Sequence, residues 1–135
     1  TFSEVEKKGI DYKGMLLKTN MVTNGKESLQ KASPVEVAEA TLRVLAKVLP
    51  EKLPGVVFLS GGQSPDEATE NLNAINVLAK SQGIIWQLSF SFARALQAEP
   101  LQVWAGQDKN VKIAQDTFLG RVKRVSLARQ GEYKP

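Results

Sequence analysis

Val56-Val57-Phe58-Leu59-Ser60-Gly61-Gly62-Gln63-Ser64-Pro65-Asp66-Glu67 holds a strand, a turn and a helix start in one short stretch. The apolar run ending at Ser60 has the pattern of a buried strand. The two glycines permit φ > 0 and close approach of another group to the backbone. Ser64-Pro65-Asp66-Glu67 is a capping box with proline at the first helical position. Behind it, Ala68, Leu72 and Ile75 continue as one buried helical stripe. A strand running straight into a capped helix is half of a βαβ unit, and the same unit recurs on both sides.

Upstream, residues 15–22 read as a strand that carries Lys18 at the end of its apolar run. Ser33-Pro34-Val35-Glu36 is a second capping box, and Ala38, Leu42, Leu45 and Leu49 form the stripe of its helix. Downstream, residues 84–92 alternate: Ile84, Trp86, Leu88, Phe90 and Phe92 share one face, and Ile85, Gln87, Ser89 and Ser91 the other. The first face suits helix packing and the second is polar enough to line a site. Residues 93–98 predict a short helix ended by Pro100. A longer helix is expected from Asn110, with Val111, Ala114, Phe118, Val122 and Val125 on its buried side and Gly131 as its stop. Loops are expected at 23–31, 50–54 and 106–109.

Three strand–helix units imply right-handed crossovers and an α/β fold with a parallel sheet. The strand ends at Lys18, Ser60 and Arg94 lie 42 and 34 residues apart in turn, enough for βαβ units of 30 or more residues. Two architectures accommodate them: a small doubly wound sheet, or an arc of a barrel.

The inventory excludes several chemistries. The chain has 135 residues, no cysteine and no histidine. Disulfides, thiolate nucleophiles, a Ser-His-Asp triad and a histidine-ligated metal are therefore outside its means. Acid–base work is left to Asp, Glu, Lys or Tyr. Its 42% hydrophobic and 24% charged content is that of a globular domain. No apolar stretch approaches the ~20 residues that span a bilayer, so no membrane partner is expected. Residues 1–8 do not resemble a signal peptide. The chain starts without methionine, inside amphipathic sequence, and reads as part of a longer protein. The net charge of +4 favours anionic partners. Lys112, Arg121, Lys123, Arg124 and Arg129 on the last helix read as a solvated face without interleaved aromatics, so nucleic acid is not an expected partner.

In either architecture the site lies at the carboxyl ends of the strands. A desolvated lysine at such an end keeps part of its amine neutral and able to attack a carbonyl; an ordinary one simply reaches solvent. The turn Gly61-Gly62 before a helix N-terminus can present N–H groups to an anion, or be a plain turn. Arg94, after the third strand, can clamp a phosphate with its fork or make a surface ion pair of little worth. Taken together they describe an amine beside a phosphate cradle.

These residues resemble the class I fructose-bisphosphate aldolases. Leu16-Leu17-Lys18 with Asn20-Met21-Val22-Thr23 is similar to that family's Schiff-base strand. Phe58-Leu59-Ser60-Gly61-Gly62-Gln63-Ser64, running on through Glu67-Ala68-Thr69 and Asn71-Leu72-Asn73-Ala74-Ile75-Asn76, is similar to its phosphate loop and following helix. Trp86, the run Ser89-Phe90-Ser91-Phe92-Ala93-Arg94-Ala95-Leu96-Gln97, and Ser126-Leu127-Ala128 with Gly131, Tyr133 and Lys134 continue the match. The resemblance covers nearly the whole chain.

It implies that residues 1–135 are the last three strand–helix units of a (β/α)8 TIM barrel, a carboxyl-terminal part of one domain. Lys18 would form an iminium with a ketose phosphate. The iminium would then stabilise the carbanion left when fructose 1,6-bisphosphate splits into dihydroxyacetone phosphate and glyceraldehyde 3-phosphate. Ser60, Gly61, Gly62 and Arg94 would hold a phosphate, with Leu59, Ser91 and Ala93 alongside. No metal or other cofactor is implied. The resemblance implies sugar bisphosphate and triose phosphate ligands, a homotetramer, and a cytoplasmic or plastid stromal location.

Three positions depart from the family pattern: Thr19 stands where proline is usual, Phe92 where tyrosine is common, and Ala93 where glycine is frequent. Thr23-Asn24-Gly25-Lys26-Glu27-Ser28 is closer in character to plastid or protist members. The family's acid–base carboxylates lie on earlier strands, so the 135-residue chain by itself is expected to be inactive. The competing reading is a non-catalytic half barrel that binds phosphate or a partner.

Overall fold

A computed structural model describes residues 2–25 and 27–135. Lys26, within the expected loop 23–31, lies outside the described residues. Three strands, β1 (Leu16–Asn20), β2 (Gly55–Leu59) and β3 (Gln87–Phe90), form one parallel sheet in the order β1-β2-β3. Helices α2 (Pro34–Val48) and α3 (Pro65–Ser81) make the two crossovers, and α1 (Phe2–Lys7) precedes the sheet. Helices α4 (Arg94–Trp104) and α5 (Val111–Arg129) follow it.

Both capping boxes form as their sequences dictate. Ser33 and Ser64 each accept from the backbone N–H three residues on, and Glu36 and Glu67 reach back to the cap N–H groups. The stripes on α2 and α3 are buried: Ala38, Leu42, Leu45 and Leu49, then Ala68, Leu72 and Ile75. They cover Val56, Phe58 and Leu88, and α2 packs along α3. Both crossover helices therefore lie on one face of the sheet. A doubly wound sheet would put helices on both faces and reverse its strand order; this one does neither. The other face, carrying Leu16, Lys18 and Asn20 on β1, has no helix over it among the described residues, and Leu16 is 60% exposed.

The strands are shorter than their apolar runs. β3 covers only residues 87–90 because it pairs with β2 from Gly55 to Phe58 and the ladder ends there. Its alternation survives beyond the ladder: Leu88 and Phe92 are buried, Gln87 and Ile85 exposed. The expectation for α4 needs correction. Pro100 does not end it; the helix runs on to Trp104, with Pro100 itself buried. The missing N–H costs one internal bond, and packing of α4 on α5 holds the helix across the gap. The chain leaves α4 at Ala105 in the left-handed conformation, φ 50°, followed by Gly106.

The last helix needs two corrections. Val111 and Phe118 are exposed and line an apolar groove of about 410 Å³ with Leu101 and Trp104. The buried stripe of α5 is instead Arg121, Val125 and Ala128. Arg121 is not part of a solvated face: it is 0% exposed. Spacings of four and three put it on the stripe that packs against α3 and α4, where acceptors wait for it. Lys112, Lys123 and Arg129 are exposed as expected.

Candidate active site at the strand ends

Register sorts the sheet into rows. Lys18, Val57 and Ser89 are Cα partners, and Asn20 and Leu59 form the next row toward the carboxyl ends. Partners in a row share a face, and successive residues point to opposite faces. All five belong to the uncovered face. Neighbouring strands are about 4.8 Å apart, so Lys18 and Ser89 are separated by on the order of 10 Å, with roughly 7 Å between rows.

Lys18 is the third residue of β1, two before its end, and it is exposed. The desolvation expected for it is therefore not supplied by the described residues, none of which buries it. Thr19 points to the helix-covered face opposite Phe58, and the strand stays extended through it, as expected where the family has proline.

After β2 the backbone turns sharply. Ser60 is buried, and Gly61 and Gly62 follow with φ of 60° and 88°. The Gln63 N–H donates to the Ser60 carbonyl at 3.0 Å, and Gln63 Nε2 donates to the same oxygen at 2.8 Å. Asn71 Nδ2, two turns into α3, donates to Gln63 Oε1 at 2.6 Å. The Gln63 amide thus fastens the turn to the helix behind it. The N–H groups of Gly61 and Gly62 find no acceptor among the described residues.

A Cβ at position 61 would sit 2.8 Å from Asn20 Oδ1, so the bare backbone lets the end of β1 close over the turn. At Gly62 a Cβ would meet nothing within 4 Å. Asn20 was not among the site residues picked out in the sequence. Its spacing of two from Lys18, which puts both on one face, was the available signal.

Glu67 modifies the expectation that the α3 N-terminus itself binds an anion. The hydrogen bond from the Ser64 backbone, helped by Lys31 at 2.9 Å, holds its carboxyl below the ordinary value. The cap is already occupied by a carboxylate. Anion-binding capacity lies one step earlier, in the glycine amides.

Arg94 is the first residue of α4 and is exposed. It makes no ion pair among the described residues, so the surface-pair alternative does not hold. Ala93 precedes it as a cap without a side-chain hydrogen bond, which leaves the first N–H groups of α4 without a side-chain acceptor. Ser91 N–H donates to Phe58 O at 2.7 Å, carrying the ladder one residue past β3 and holding Ser91 beside Leu59. Phe92 is buried and packs on Phe90 with ring centroids 5.5 Å apart.

The residues singled out in the sequence therefore gather along one edge: Lys18 on β1, Leu59 to Gly62 after β2, and Ser91 to Arg94 after β3. Amine, free amides and guanidinium suit a carbonyl compound bearing a phosphate. None of the residues on the open face of the three strands is a carboxylate.

Comparison with known proteins agrees with this reading. The family model described as "Glycolytic: Fructose-bisphosphate aldolase class-I" matches residues 1–135. The chain is 50% identical over 132 residues to fructose-bisphosphate aldolase 2, chloroplastic, of Pisum sativum, covering 98% of this chain and 37% of that protein. Against fructose-bisphosphate aldolase 6, cytosolic, of Arabidopsis thaliana it is 53% identical over 121 residues, covering 90% and 33%. A solved structure of the Plasmodium falciparum fructose-bisphosphate aldolase, in complex with TRAP and a small-molecule inhibitor, superposes with a TM-score of 0.93 at 46% identity. That match covers 99% of this chain and 38% of the other. The chain thus spans about a third of the length of these relatives.

Proposed function

The chain belongs to the class I fructose-bisphosphate aldolase family, and from that premise we propose that its full-length protein reversibly cleaves fructose 1,6-bisphosphate through a Schiff base on Lys18. The observation that carries this is the shared edge: Lys18 stands on the same open sheet face as Asn20, Leu59 and Ser89, and the glycine turn and Arg94 follow the next two strands at their carboxyl ends. In the forward direction the Lys18 amine adds to the ketose carbonyl and water leaves, giving an iminium. The carbon–carbon bond beyond it breaks as the hydroxyl on its far carbon gives up a proton and becomes the aldehyde of glyceraldehyde 3-phosphate, and the bond's electron pair is held as an enamine on Lys18. Free N–H groups of Gly61 and Gly62, with Ser60 and Arg94, hold the phosphate of the dihydroxyacetone phosphate half. Leu59, Ser91 and Ala93 line the same edge.

The three units are an arc of an eight-stranded barrel in this reading. Sequential strand order and both crossover helices on one face support it, since barrel helices form an outer ring. The open face is then the barrel interior, and the remaining strands supply both the desolvation of Lys18 and the missing carboxylates. The isolated 135 residues lack those groups and are inactive. The whole protein is a homotetramer acting in the cytosol or plastid stroma, the compartments named for its relatives.

Borohydride reduction of the full-length protein with dihydroxyacetone phosphate tests the central claim. Peptide mapping is expected to find the reduced adduct on Lys18. An adduct on another lysine, with Lys18 unmodified, overturns the assignment. A protein that binds phosphate yet never forms the adduct would favour the non-catalytic reading.

A further inference from the structure

Arg121 belongs to none of the groups just described, yet it touches the helices that carry two of them. Its side chain is 1% exposed. Nη1 donates to Asp66 Oδ1 at 2.7 Å, and Nη2 donates to the Pro65 carbonyl at 2.6 Å and to Thr69 Oγ1 at 3.0 Å. These acceptors lie at the start of α3, between its first and fifth residues, directly behind the glycine turn. On its other side, Nε faces Glu99 Oε2 on α4 at 3.8 Å, too long for a hydrogen bond. The helix that Glu99 sits on begins with Arg94.

We propose that Arg121 is a positioning residue for the phosphate subsite: one buried guanidinium on α5 clamps the head of α3 and so holds the glycine amides in front of it in place for phosphate. The inference rests on the reading above that those groups hold phosphate. Two arguments carry it. Arg121 is buried while its partner Asp66 is 63% exposed, so the charge pairing itself contributes little, but the rigid fork of the guanidinium fixes geometry. Here the fork reaches three atoms at the start of α3. The second argument is electrostatic. Asp66 and Glu67 stand in the first turn behind the amides, where two bare carboxylates would repel an incoming phosphate. Each has its own cation: Arg121 for Asp66 at 2.7 Å, Lys31 for Glu67 at 2.9 Å. The lysine is exposed and replaceable by solvent ions; the arginine is not.

The test compares wild-type, Arg121→Met and Arg121→Lys forms of the full-length protein with three probes. These are inorganic phosphate by calorimetric titration, and borohydride trapping with dihydroxyacetone phosphate and with unphosphorylated dihydroxyacetone. In Arg121→Met, the phosphate Kd and the half-trapping concentration of dihydroxyacetone phosphate are expected to rise at least tenfold. Trapping with dihydroxyacetone is expected to stay within twofold of wild type, because that ligand makes no use of the subsite. Arg121→Lys, which keeps the charge and loses the fork, is expected to fall between. Wild-type phosphate affinity in the Met variant overturns the proposal. Equal losses with both ketones also overturn it, since they mean general disruption of the fold. If the Met variant does not fold, Arg121→Lys decides: phosphate binding at least threefold weaker supports the role, and unchanged binding overturns it. Trapping of the wild type at a lysine other than Lys18 overturns the aldolase reading alone, because the phosphate titration still judges Arg121. A wild type that binds no phosphate overturns both.

Discussion

Gly61 lies directly beneath Asn20: a Cβ on the glycine would fall 2.8 Å from the asparagine Oδ1, while the backbone there has φ of 60°. A side chain there is strained by the backbone conformation, and it would also force the Asn20 amide to move aside. The last residue of β1 therefore lies close over the glycine turn, which brings the end of the strand that carries Lys18 against the turn after β2.

Gly61→Ala is expected to cost about 2 kcal/mol of stability, from left-handed strain plus the clash. It should weaken phosphate binding at least tenfold in the full-length protein. Gly62→Ala carries only the conformational part, about 1 kcal/mol, because its Cβ meets nothing within 4 Å. Adding Asn20→Gly to Gly61→Ala relieves the contact but not the strain. The double mutant should recover part of the loss, which a double-mutant cycle in urea would show as coupling between the two sites.

Asn71 is nearly buried and its amide donates to Gln63 Oε1 at 2.6 Å. Asn71→Leu keeps the volume and removes the donor, leaving a part-buried carbonyl without its partner. The expected cost is about 1–2 kcal/mol. Phosphate affinity should drop severalfold, because the Gln63 side chain then no longer anchors the turn. Equal urea midpoints and equal phosphate affinity in the two proteins would remove Asn71 from this account.

The fold was legible where local chemistry was decisive. Both capping boxes, the α2 and α3 stripes and the alternation from Ile84 to Phe92 follow from spacing alone, because each is settled within a few residues. Arg121 was not legible. At its spacing on the helix the charge pointed to solvent, and only the tertiary placement of Pro65, Asp66 and Thr69 makes a buried guanidinium tolerable. Pro100 misled for a related reason: proline's local cost is real, and packing on α5 outweighs it. The candidate site was legible only as a set of strand ends. The supporting contacts of Gln63, Asn71 and Asn20 depend on side-chain directions that spacing does not encode.

Acid stability offers a test of the α3 cap. The Glu67 carboxyl is held below its ordinary value, first by the Ser64 backbone hydrogen bond and then by Lys31. A carboxyl lowered on folding stabilises the native state above its unfolded value. That contribution is lost as pH falls through the folded value. Glu67→Gln removes it at neutral pH, so the stability gap between wild type and variant should be full near pH 7. It should narrow as the pH drops below about 4, since the unfolded carboxyl titrates near 4.3. Urea midpoints measured from pH 7 to pH 3 would show this convergence; a gap that stays constant with pH would mean the carboxylate is not lowered by folding. Lys31→Met should shrink the gap while leaving the convergence in place, because the Ser64 bond remains.

Gly55 opens β2 at a point where the sheet allows no side chain. It is buried, and a Cβ built on it would run into the Gln87 backbone carbonyl of the neighbouring strand. Gln87 N–H in turn donates to Pro54 O at 3.0 Å, so the two strands are held together at that point by a bond that cannot lengthen without loss. Gly55→Ala must therefore either part β2 from β3 or tilt the start of β2, at an expected cost of about 2–3 kcal/mol. The strain acts at the amino end of the sheet, three residues before Phe58 and five before Ser60. Its effect on phosphate affinity should accordingly be small, under threefold, while the urea midpoint falls clearly. Gly61→Ala predicts the opposite emphasis, with binding hit harder than folding. Measuring both quantities for both variants separates a glycine kept for strand packing from one kept for the site, and near-identical profiles would show that the two ends of β2 are not independent.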